Sequence, residues 1–530
     1  MKNQQMLESA KNLINNNKLQ DAENILAGLN DKYSVFELAR IRKIQGRYRD
    51  ALKLYLKSLS MTSEIKSQID NDINIELGRI YGSLGRVRES KEYYEKGLDR
   101  ICLENNIYRE LGEVYLNGGS GNRYYKEAEE CFEKAIKMFP SDIRTNFYLG
   151  VVYRILNKKS QASKIFNKLL AEKEVKINKF LYNKILNQYE ILMRKEYLES
   201  KPREIRVTIT NKCNIGCRYC DIWKVPDWEL PKNRMEEIID SFPYLEAIQW
   251  LGGETFLYKG FEEILEEGAK YDNCHQTILT NGLLLNEKLL EKIAKTNITL
   301  LIAIDAGKKE TYEYLRRGGS WDKLCKNLEL IKEVGKRTNN KIRTIFNAVI
   351  SNSNYKEMLD MVEMAHKYDF DKIRFMPILG DTKENIFLNR DMVSIEYINN
   401  LLPMLKQKAN DYEIQLENRL PTIEKPYYKN INVNFAKINN IKNTDLIETK
   451  QKINRCIAPW KVVVIDSKGP IRTCVNCNDW LGDSSKQTIG EFWNGEGIRF
   501  YRTKFAENYG CTGGFNLNTG PNDIVKCNHL

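Results

Sequence analysis

The sequence predicts a multidomain chain in which an all-α repeat array precedes an α/β region and a small cysteine-rich C-terminal domain. Three observations carry this prediction: a recurring Leu-Gly-x-x-Tyr pattern, an alternation of short strands with amphipathic helices, and a set of cysteines near the end. Alternation of strands and helices indicates a parallel sheet covered by helices. We therefore divide the chain into residues 1–198, 199–385, 386–455 and 456–530.

Charge and hydropathy indicate that the protein binds neither nucleic acid nor a membrane. The chain has 530 residues and a formal net charge of +12, from 83 Lys and Arg against 71 Asp and Glu. We attribute the excess to a Lys-rich solvated surface and expect no nucleic-acid partner, because no nucleic-acid motif is present. The apolar runs are too short to cross a bilayer, so we expect a cytoplasmic protein without a membrane partner. Its cysteines are then metal ligands or free core thiols.

The N-terminal region repeats itself. The Leu-Gly-x-x-Tyr pattern begins at Leu77, Leu111 and Leu149. Each copy is followed by a small residue and, four positions later, by an aromatic one: Ser90 and Tyr94, Ala128 and Phe132, Ala162 and Phe166. Small residues let the two helices of a hairpin approach, and we expect the aromatic rings to fill the gap between neighbouring hairpins.

This pattern resembles the tetratricopeptide repeat (TPR) family, with four or five repeats over residues 3–195. The resemblance implies a helical solenoid whose groove binds a peptide or protein. A role in dimerisation, or as a structural appendage, is the alternative.

Six strand–helix units follow. The strands are predicted at 205–210, 247–251, 276–280, 299–305, 343–350 and 372–377, with helical patterns such as 287–295, 321–336 and 355–368 between them. Such units predict a parallel sheet covered by helices.

The first of these strands leads into a cysteine motif. Cys213, Cys217 and Cys220 have CxxxCxxC spacing. Three thiolates on one loop can hold three irons of a cubic iron–sulfur cluster and leave the fourth iron open to a ligand. A structural zinc site is the alternative, but zinc sites usually use paired CxxC units. Chance clustering is the other alternative.

The motif, with an aromatic residue at Tyr219, resembles that of the radical S-adenosylmethionine (radical SAM) enzymes. Gly252-Gly253-Glu254, about 30 residues later, is similar to the family's strand-plus-GGE element. The resemblance implies a partial (β/α)6 barrel with a [4Fe-4S] cluster that binds S-adenosylmethionine at the strand ends. Glycines there allow close backbone approach to a ligand, and the carboxylate complements the ammonium of the methionine moiety.

Four more residues match positions where this family contacts S-adenosylmethionine. They are Asn281 after the third strand, Asp305 after the fourth, Arg317 in an Arg-Arg-Gly-Gly element, and Asn347 on the fifth strand, placed to reach the ribose. A helix cap is the alternative role for Asp305, and a strand-edge or turn position is the alternative for Asn347.

The rest of the chain is predicted to form a connector and an auxiliary metal site. Residues 386–455 are Asn- and Lys-rich, with one helical stretch, and we expect them to cross the barrel opening. Five cysteines follow, at Cys456, Cys474, Cys477, Cys511 and Cys527. They resemble the start of the SPASM or twitch extension, which implies one auxiliary iron–sulfur cluster. Cys456, Cys474 and Cys511 are the expected ligands, Cys477 and Cys527 compete for the fourth place, and a zinc site at Cys474-x-x-Cys477 is the alternative.

The resemblances imply an enzyme that cleaves S-adenosylmethionine to a 5′-deoxyadenosyl radical, which abstracts hydrogen from a substrate. A peptide or protein captured by the repeats is the favoured substrate, with flavodoxin or ferredoxin as electron donor. One alternative is a dehydrogenase or epimerase of a sugar or other small metabolite. The other is a TPR scaffold whose barrel is not catalytic.

Overall fold

The computed structural model describes residues 2–61, 68–98, 107–117, 124–378, 383–421, 457–466, 468–474 and 481–506. The chain forms two compact units. The first comprises Met1–Ile165 and Glu333–Ile342, and the second comprises Phe166–Lys332 and Arg343–Leu530. The boundary predicted at residue 198 therefore falls inside the second unit. In the part of the chain described, no helix combines the length and apolar character needed to cross a membrane.

The first unit is built from helices, as the repeat pattern predicts. They are α1 (Lys2–Asn15), α2 (Leu19–Leu26), α3 (Lys32–Ile44), α4 (Tyr48–Ser60), α5 (Gln68–Ser83), α6 (Val87–Gly97), α7 (Ile107–Asn117), α8 (Tyr125–Met138), α9 (Ile143–Ile155) and α10 (Lys159–Ala171), the last of which runs into the second unit.

The recurring spacing of glycine and aromatic residues has a steric cause in this unit. A Cβ on Gly78 of α5 would lie 2.9 Å from the ring of Tyr94 on α6, and one on Gly112 of α7 would lie 2.7 Å from the ring of Phe132 on α8. Each ring therefore packs on the glycine of its own hairpin. These residues also contact the next hairpin, as the spacing predicts. The ring of Phe132 stacks on that of Tyr148 in α9, with centroids 5.8 Å apart, and the hydroxyl of Tyr94 donates to Glu110 of α7 at 3.2 Å.

The second unit contains the sheet. Its strands are β1 (Glu204–Thr210), β2 (Ala247–Gly252), β3 (His275–Thr280), β4 (Ile298–Ala303), β5 (Arg343–Ile350), β6 (Lys372–Pro377), β7 (Gln415–Asn418), β8 (Val462–Ile465), β9 (Pro470–Arg472) and β10 (Gly482–Asp483). Its helices are α11 (Lys173–Ile177), α12 (Lys179–Leu192), α13 (Lys232–Ser241), α14 (Phe261–Gly268), α15 (Glu287–Ala294), α16 (Lys309–Leu315), α17 (Trp321–Arg337, which extends into the first unit), α18 (Met358–Lys367), α19 (Met392–Asp411), α20 (Ala458–Lys461), α21 (Ile489–Trp493) and α22 (Glu496–Ala506).

The sheet has the order β10-β9-β8-β1-β2-β3-β4-β5-β6-β7. Strands β1 to β6 are the six that the sequence predicts, and each pairs in parallel with the next. This confirms the α/β architecture.

Two findings concern the sheet's edges. β7 lies inside the predicted connector and pairs in parallel with β6, and its polar sequence Gln415–Asn418 gave no apolar signal for a strand. β8 pairs in parallel with β1, so the described strands after residue 456 extend the barrel sheet. The bounds predicted for a C-terminal domain remain a prediction.

The described residues after 456 also anchor α12 and the segment that follows it to the barrel. Asn187 donates a hydrogen bond of 2.6 Å to the carbonyl of Trp460, whose indole N–H donates to the carbonyl of Lys195 at 2.8 Å. The indole N–H of Trp493 donates to the carbonyl of Ser200 at 2.7 Å. The two indole groups thus find the hydrogen-bond partners that buried indoles need. Residues 187–200 belong with the sheet to the second unit.

The two faces of the sheet differ. Trp250 of β2 packs edge-on against Phe261 of α14, with ring centroids 5.4 Å apart, so its side of the sheet is the face that helices cover. Side chains alternate along a strand, so the neighbours of Trp250 lie on the other side. We call that side the inner face of the barrel. It includes Arg206 and Gln249, which are paired in register, and Asn347 and Arg374, which are paired likewise.

Candidate functional site

The three cysteines lie on a loop that directly follows β1, at the C-terminal ends of the parallel strands. Cys217 is buried, and Cys213 and Cys220 are half-buried. The end of α16 holds this loop from one side: the N–H of Gly216 donates to the carbonyl of Arg317 at 2.8 Å, and the N–H of Arg218 donates to that of Leu315 at 2.9 Å. The loop is thus built into the fold by backbone contacts.

The glycine pair after β2 holds the loop from the other side. The N–H of Gly253 donates to the carbonyl of Thr210 at 2.9 Å, and the N–H of Glu254 donates to that of Lys212 at 2.8 Å. A Cβ on Gly252 would lie 2.6 Å from the Thr210 oxygen, and one on Gly253 would lie 2.3 Å from the Lys212 oxygen. Glycine is therefore required here by the approach of the chain to itself, and the approach of a ligand, which the resemblance implies, remains a prediction.

Glu254 is fully buried and its carboxylate is engaged inside the protein. It accepts hydrogen bonds of 2.7 Å from the hydroxyl of Thr280 and from the N–H of Asn281, which together fix the end of β3. Burial raises the pKa of this carboxyl, and these two donors oppose the rise. The carboxylate thus joins β2 to β3. Its contact with an ammonium group of S-adenosylmethionine remains a prediction.

Asp305 and Arg316 form a buried ion pair beside the cysteine loop, with 0% and 7% of their side chains exposed. Asp305 has a positive φ of 62°, and its carboxylate also accepts from the N–H of Val349 at 2.7 Å and from the hydroxyl of Tyr219. Arg316 donates toward the Sγ of Cys217 at 3.8 Å. Asp305 is therefore not a simple helix cap: it orients the arginine that faces a thiol. Its contact with S-adenosylmethionine remains a prediction.

The structure brings Arg316 to the thiols, whereas the resemblance pointed to Arg317 as a contact of S-adenosylmethionine. Arg317 is exposed and contributes its backbone carbonyl, whereas Arg316 is buried. The two arginines differ in their relation to the end of α16. Arg316 is the C-cap residue, whose N–H donates to the carbonyl of Tyr312 at 2.8 Å and so continues the last turn, whereas Arg317 lies beyond it. A side-chain role for Arg317 remains a prediction.

The two asparagines predicted to contact S-adenosylmethionine lie at different positions along the strands: one at a strand end and one within the barrel. Asn281 is buried at the end of β3, and its side-chain amide lies 4.0 Å from the Sγ of Cys213 and 2.8 Å from the side-chain oxygen of Asn214. Asn347 is half-buried on the inner face of β5, beside Arg374. The structure therefore places Asn281 next to the cysteine loop and Asn347 within the barrel. The ribose contact of Asn347 remains a prediction.

The residues around the loop fit an iron–sulfur cluster. Nε of Arg316 is buried without a hydrogen-bond partner among the described residues, so an acceptor beside Cys217 would satisfy it. Burial raises the pKa of Cys217 to about 11, against the opposing charge of Arg316. Among those residues, no three His, Cys, Asp or Glu side chains converge on the site of one metal ion. A cubic cluster requires a wider arrangement, because each thiolate binds its own iron.

Of the five cysteines predicted to bind the auxiliary cluster, the structure describes one. Cys474 is buried and packs with Ala458 and Tyr501. Cys456, Cys477, Cys511 and Cys527 lie outside the described residues. The auxiliary cluster and its ligand set remain predictions.

Two known protein families match parts of this chain. Residues 207–365 match the Radical SAM superfamily, and residues 72–100 and 120–142 match the tetratricopeptide repeat. The chain thus contains a radical SAM domain, which spans the cysteine loop, the glycine pair, Asp305 and Arg316. Members of that superfamily use a [4Fe-4S] cluster and S-adenosylmethionine.

Individual proteins are similar to parts of the chain. A GTP 3′,8-cyclase of Peptoclostridium acidaminophilum is 28% identical over 187 residues, which are 33% of this chain and 55% of the cyclase. The chain therefore spans about half the length of that relative. Among solved structures, Streptococcus suis SuiB bound to S-adenosylmethionine has a TM-score of 0.43 at 16% identity, covering 71% of this chain and 83% of SuiB. SuiB bound to its precursor peptide SuiA has a TM-score of 0.44 at 15% identity, covering 72% and 84%.

Proposed function

We propose, starting from the radical SAM domain that this chain contains, that the protein is an enzyme which removes a hydrogen atom from a peptide or protein substrate. The observation that carries the proposal is the cysteine loop itself. It is fixed by backbone bonds to Gly253, Glu254 and the end of α16, and a buried arginine faces one of its thiols. Such preorganisation is what a reactive cofactor requires of the protein around it.

In this proposal Cys213, Cys217 and Cys220 hold a [4Fe-4S] cluster. The bound cluster and S-adenosylmethionine together supply a 5′-deoxyadenosyl radical on one-electron reduction. The residues of this chain do the positioning. Arg316 donates to Cys217, Asp305 and Tyr219 keep Arg316 in place, and Glu254 holds the end of β3 against the glycine pair.

A peptide or protein substrate is supported by the repeats, since a helical repeat array provides an extended surface for another chain. A second candidate is a small phosphorylated or otherwise anionic metabolite. The similarity to a GTP 3′,8-cyclase favours it, although the matched segment is no longer than 187 residues.

The first experiment tests the chemistry alone. The protein is reconstituted anaerobically with iron and sulfide, and S-adenosylmethionine and dithionite are added. We expect 5′-deoxyadenosine from the wild type and none from Cys217→Ala. Cys274→Ala is the matched control, because Cys274 is also buried but lies before β3, outside the loop. A loaded cluster without 5′-deoxyadenosine would refute the enzyme proposal and leave the non-catalytic scaffold.

The second experiment separates the substrates. Deuterated peptides and deuterated GTP are supplied in parallel to the loaded enzyme, and 5′-deoxyadenosine is analysed by mass spectrometry. Deuterium acquired from a peptide supports the first candidate, and deuterium acquired from GTP supports the second. Flavodoxin and ferredoxin are compared with dithionite as donors in the same assay, since either is the expected physiological reductant.

A further inference from the structure

The inner face of the barrel carries a group of cations on β6 and directly after β7, whereas the cysteine loop follows β1. Lys372 and Arg374 lie two residues apart on β6, and Arg374 is paired in register with Glu417 on β7. Arg419 follows two residues after Glu417, and its N–H continues the ladder by donating to the carbonyl of Phe375 at 2.9 Å. Since side chains two apart share a face, all four belong to the inner face.

One carboxylate is shared by three of these cations. Nε of Arg374 donates to Glu417 at 3.0 Å, Nζ of Lys372 lies 3.5 Å from the same oxygen, and Arg419 is bonded to the other oxygen. Burial would raise the pKa of Glu417, but the charges of Arg374, Arg419 and Lys372 outweigh it and hold that pKa at about 2. Glu417 is thus charged, and three cations share its one carboxylate.

A fourth cation, Arg206 of β1, lies on the same inner face. Burial lowers the pKa of Arg374, and the charges of Arg419 and Arg206 add to this effect. Glu204 is 3.9 Å from Arg206, but it also pairs with Lys461. Burial lowers the pKa of Lys372, and its two neighbouring arginines add to this effect. Among the described residues, four cations of the inner face thus lie around the carboxylates of Glu417 and Glu204.

We propose that this group is an oxyanion subsite, at which Arg374, Arg419 and Arg206 bind a carboxylate or phosphate of the substrate. Guanidinium groups suit both, because their planar N–H forks match two oxygens at once. The inference rests on the proposed function and deepens it, since it names a chemical group that the substrate of this barrel carries.

The position of the subsite agrees with such a role. Arg206 precedes the last residue of β1, Thr210, by four positions, and the cysteine loop follows directly. At about 3.3 Å per residue, this is roughly 13 Å along the strand. A substrate bound through an anionic group at Arg206 and Arg374 would extend from there toward the strand ends, where the thiols lie.

The test measures anion binding to the full-length, cluster-loaded protein without S-adenosylmethionine. Inorganic phosphate and glutarate are titrated separately by isothermal titration calorimetry at constant ionic strength. We expect Arg374→Gln to weaken binding about tenfold, which corresponds to losing one charge-assisted contact of about 1.4 kcal/mol. Glu417→Gln should tighten binding severalfold, because it removes the carboxylate that competes for the same cations. Arg88→Gln, an identical substitution at an exposed position of α6, is the control and should change nothing.

The opposite sign of the two variants makes the test decisive. If the wild type binds phosphate more tightly than glutarate, the substrate carries a phosphate; if it binds glutarate more tightly, the substrate carries a carboxylate. Either result supports the subsite. If Arg374→Gln binds both anions as well as the wild type, or Glu417→Gln binds them more weakly, the cations are structural and the subsite is wrong. Should Arg374→Gln fail to fold, Glu417→Gln alone decides. The wild type's formation of 5′-deoxyadenosine is measured separately, so that failure of the enzyme proposal is distinguished from failure of the subsite.

Discussion

Two charged clusters of the barrel unit are built on opposite principles. Beside the cysteine loop, Arg316 and Asp305 form a one-to-one pair with almost no exposure. Within the barrel, Glu417 is shared by Lys372, Arg374 and Arg419, whose side chains are 15% to 33% exposed. The first pair is closed and balanced, as a support for the loop requires. The second is partly exposed and sets three cations around one carboxylate, as the proposed binding of an anion requires.

The largest effect is expected at the closed pair. Arg316→Met removes the partner of Asp305 and leaves a buried, uncompensated carboxylate, which costs about 3–5 kcal/mol. We expect a large loss of thermal stability in the barrel, followed through the fluorescence of its buried tryptophans, and a lower iron content after reconstitution. Arg317→Met is the matched control, because Arg317 is adjacent but exposed. Equal effects of the two substitutions would contradict the assignment of Arg316.

Gly253→Ala should come next. Its Cβ would lie 2.3 Å from the carbonyl oxygen of Lys212, a backbone atom that cannot move without displacing the cysteine loop. Overpacking of this kind costs about 1–3 kcal/mol. We expect the defect to appear chiefly as lost iron after reconstitution, because the displaced segment carries Cys213. Gly490→Ala, where the nearest atom would lie at 3.9 Å, is the control.

Tyr219→Phe should have a smaller effect. It removes one hydroxyl donor from Asp305, which keeps Arg316 and the N–H of Val349, so a loss of about 1 kcal/mol is expected. Urea denaturation of the apoprotein measures it. A loss as large as that of Arg316→Met would show that Tyr219, and not the arginine, carries the pair.

Arg374→Met should change stability least, by less than about 1 kcal/mol. Glu417 keeps two cationic partners, and loss of one positive charge relieves repulsion among the rest, so gain and loss nearly cancel. The same denaturation experiment checks this. A loss comparable to that of Arg316→Met would remove the contrast between the open and closed clusters.

Much of the candidate site could be predicted from the sequence, because its signals are local. The spacing of the cysteines and of Gly252, Gly253 and Glu254 needs no knowledge of distant contacts. The reasons for these residues could not be predicted equally well. The glycines make room for the carbonyls of Thr210 and Lys212, and Glu254 bonds to Thr280 and Asn281, residues that are remote in the chain.

Other features depended on pairing between distant strands. β7 is polar and short, and only its pairing with β6 makes it a strand. β8 is apolar, but nothing local indicated that it lies beside β1, more than 250 residues earlier in the chain. Strand partners are chosen by tertiary packing, and for this reason the sequence did not reveal that the described strands after residue 456 join the barrel sheet.

The sequence by itself determined the helical repeats, the six central strands and the motif of three cysteines, because periodicity and spacing are properties of neighbouring residues. Only the tertiary structure decided which arginine faces the thiols and which carboxylates are buried. It alone gathered Arg206, Lys372, Arg374, Glu417 and Arg419 on one face. The physical reason is that charge interactions depend on distance and burial in space, and residues far apart in the chain acquire both only when the sheet has formed.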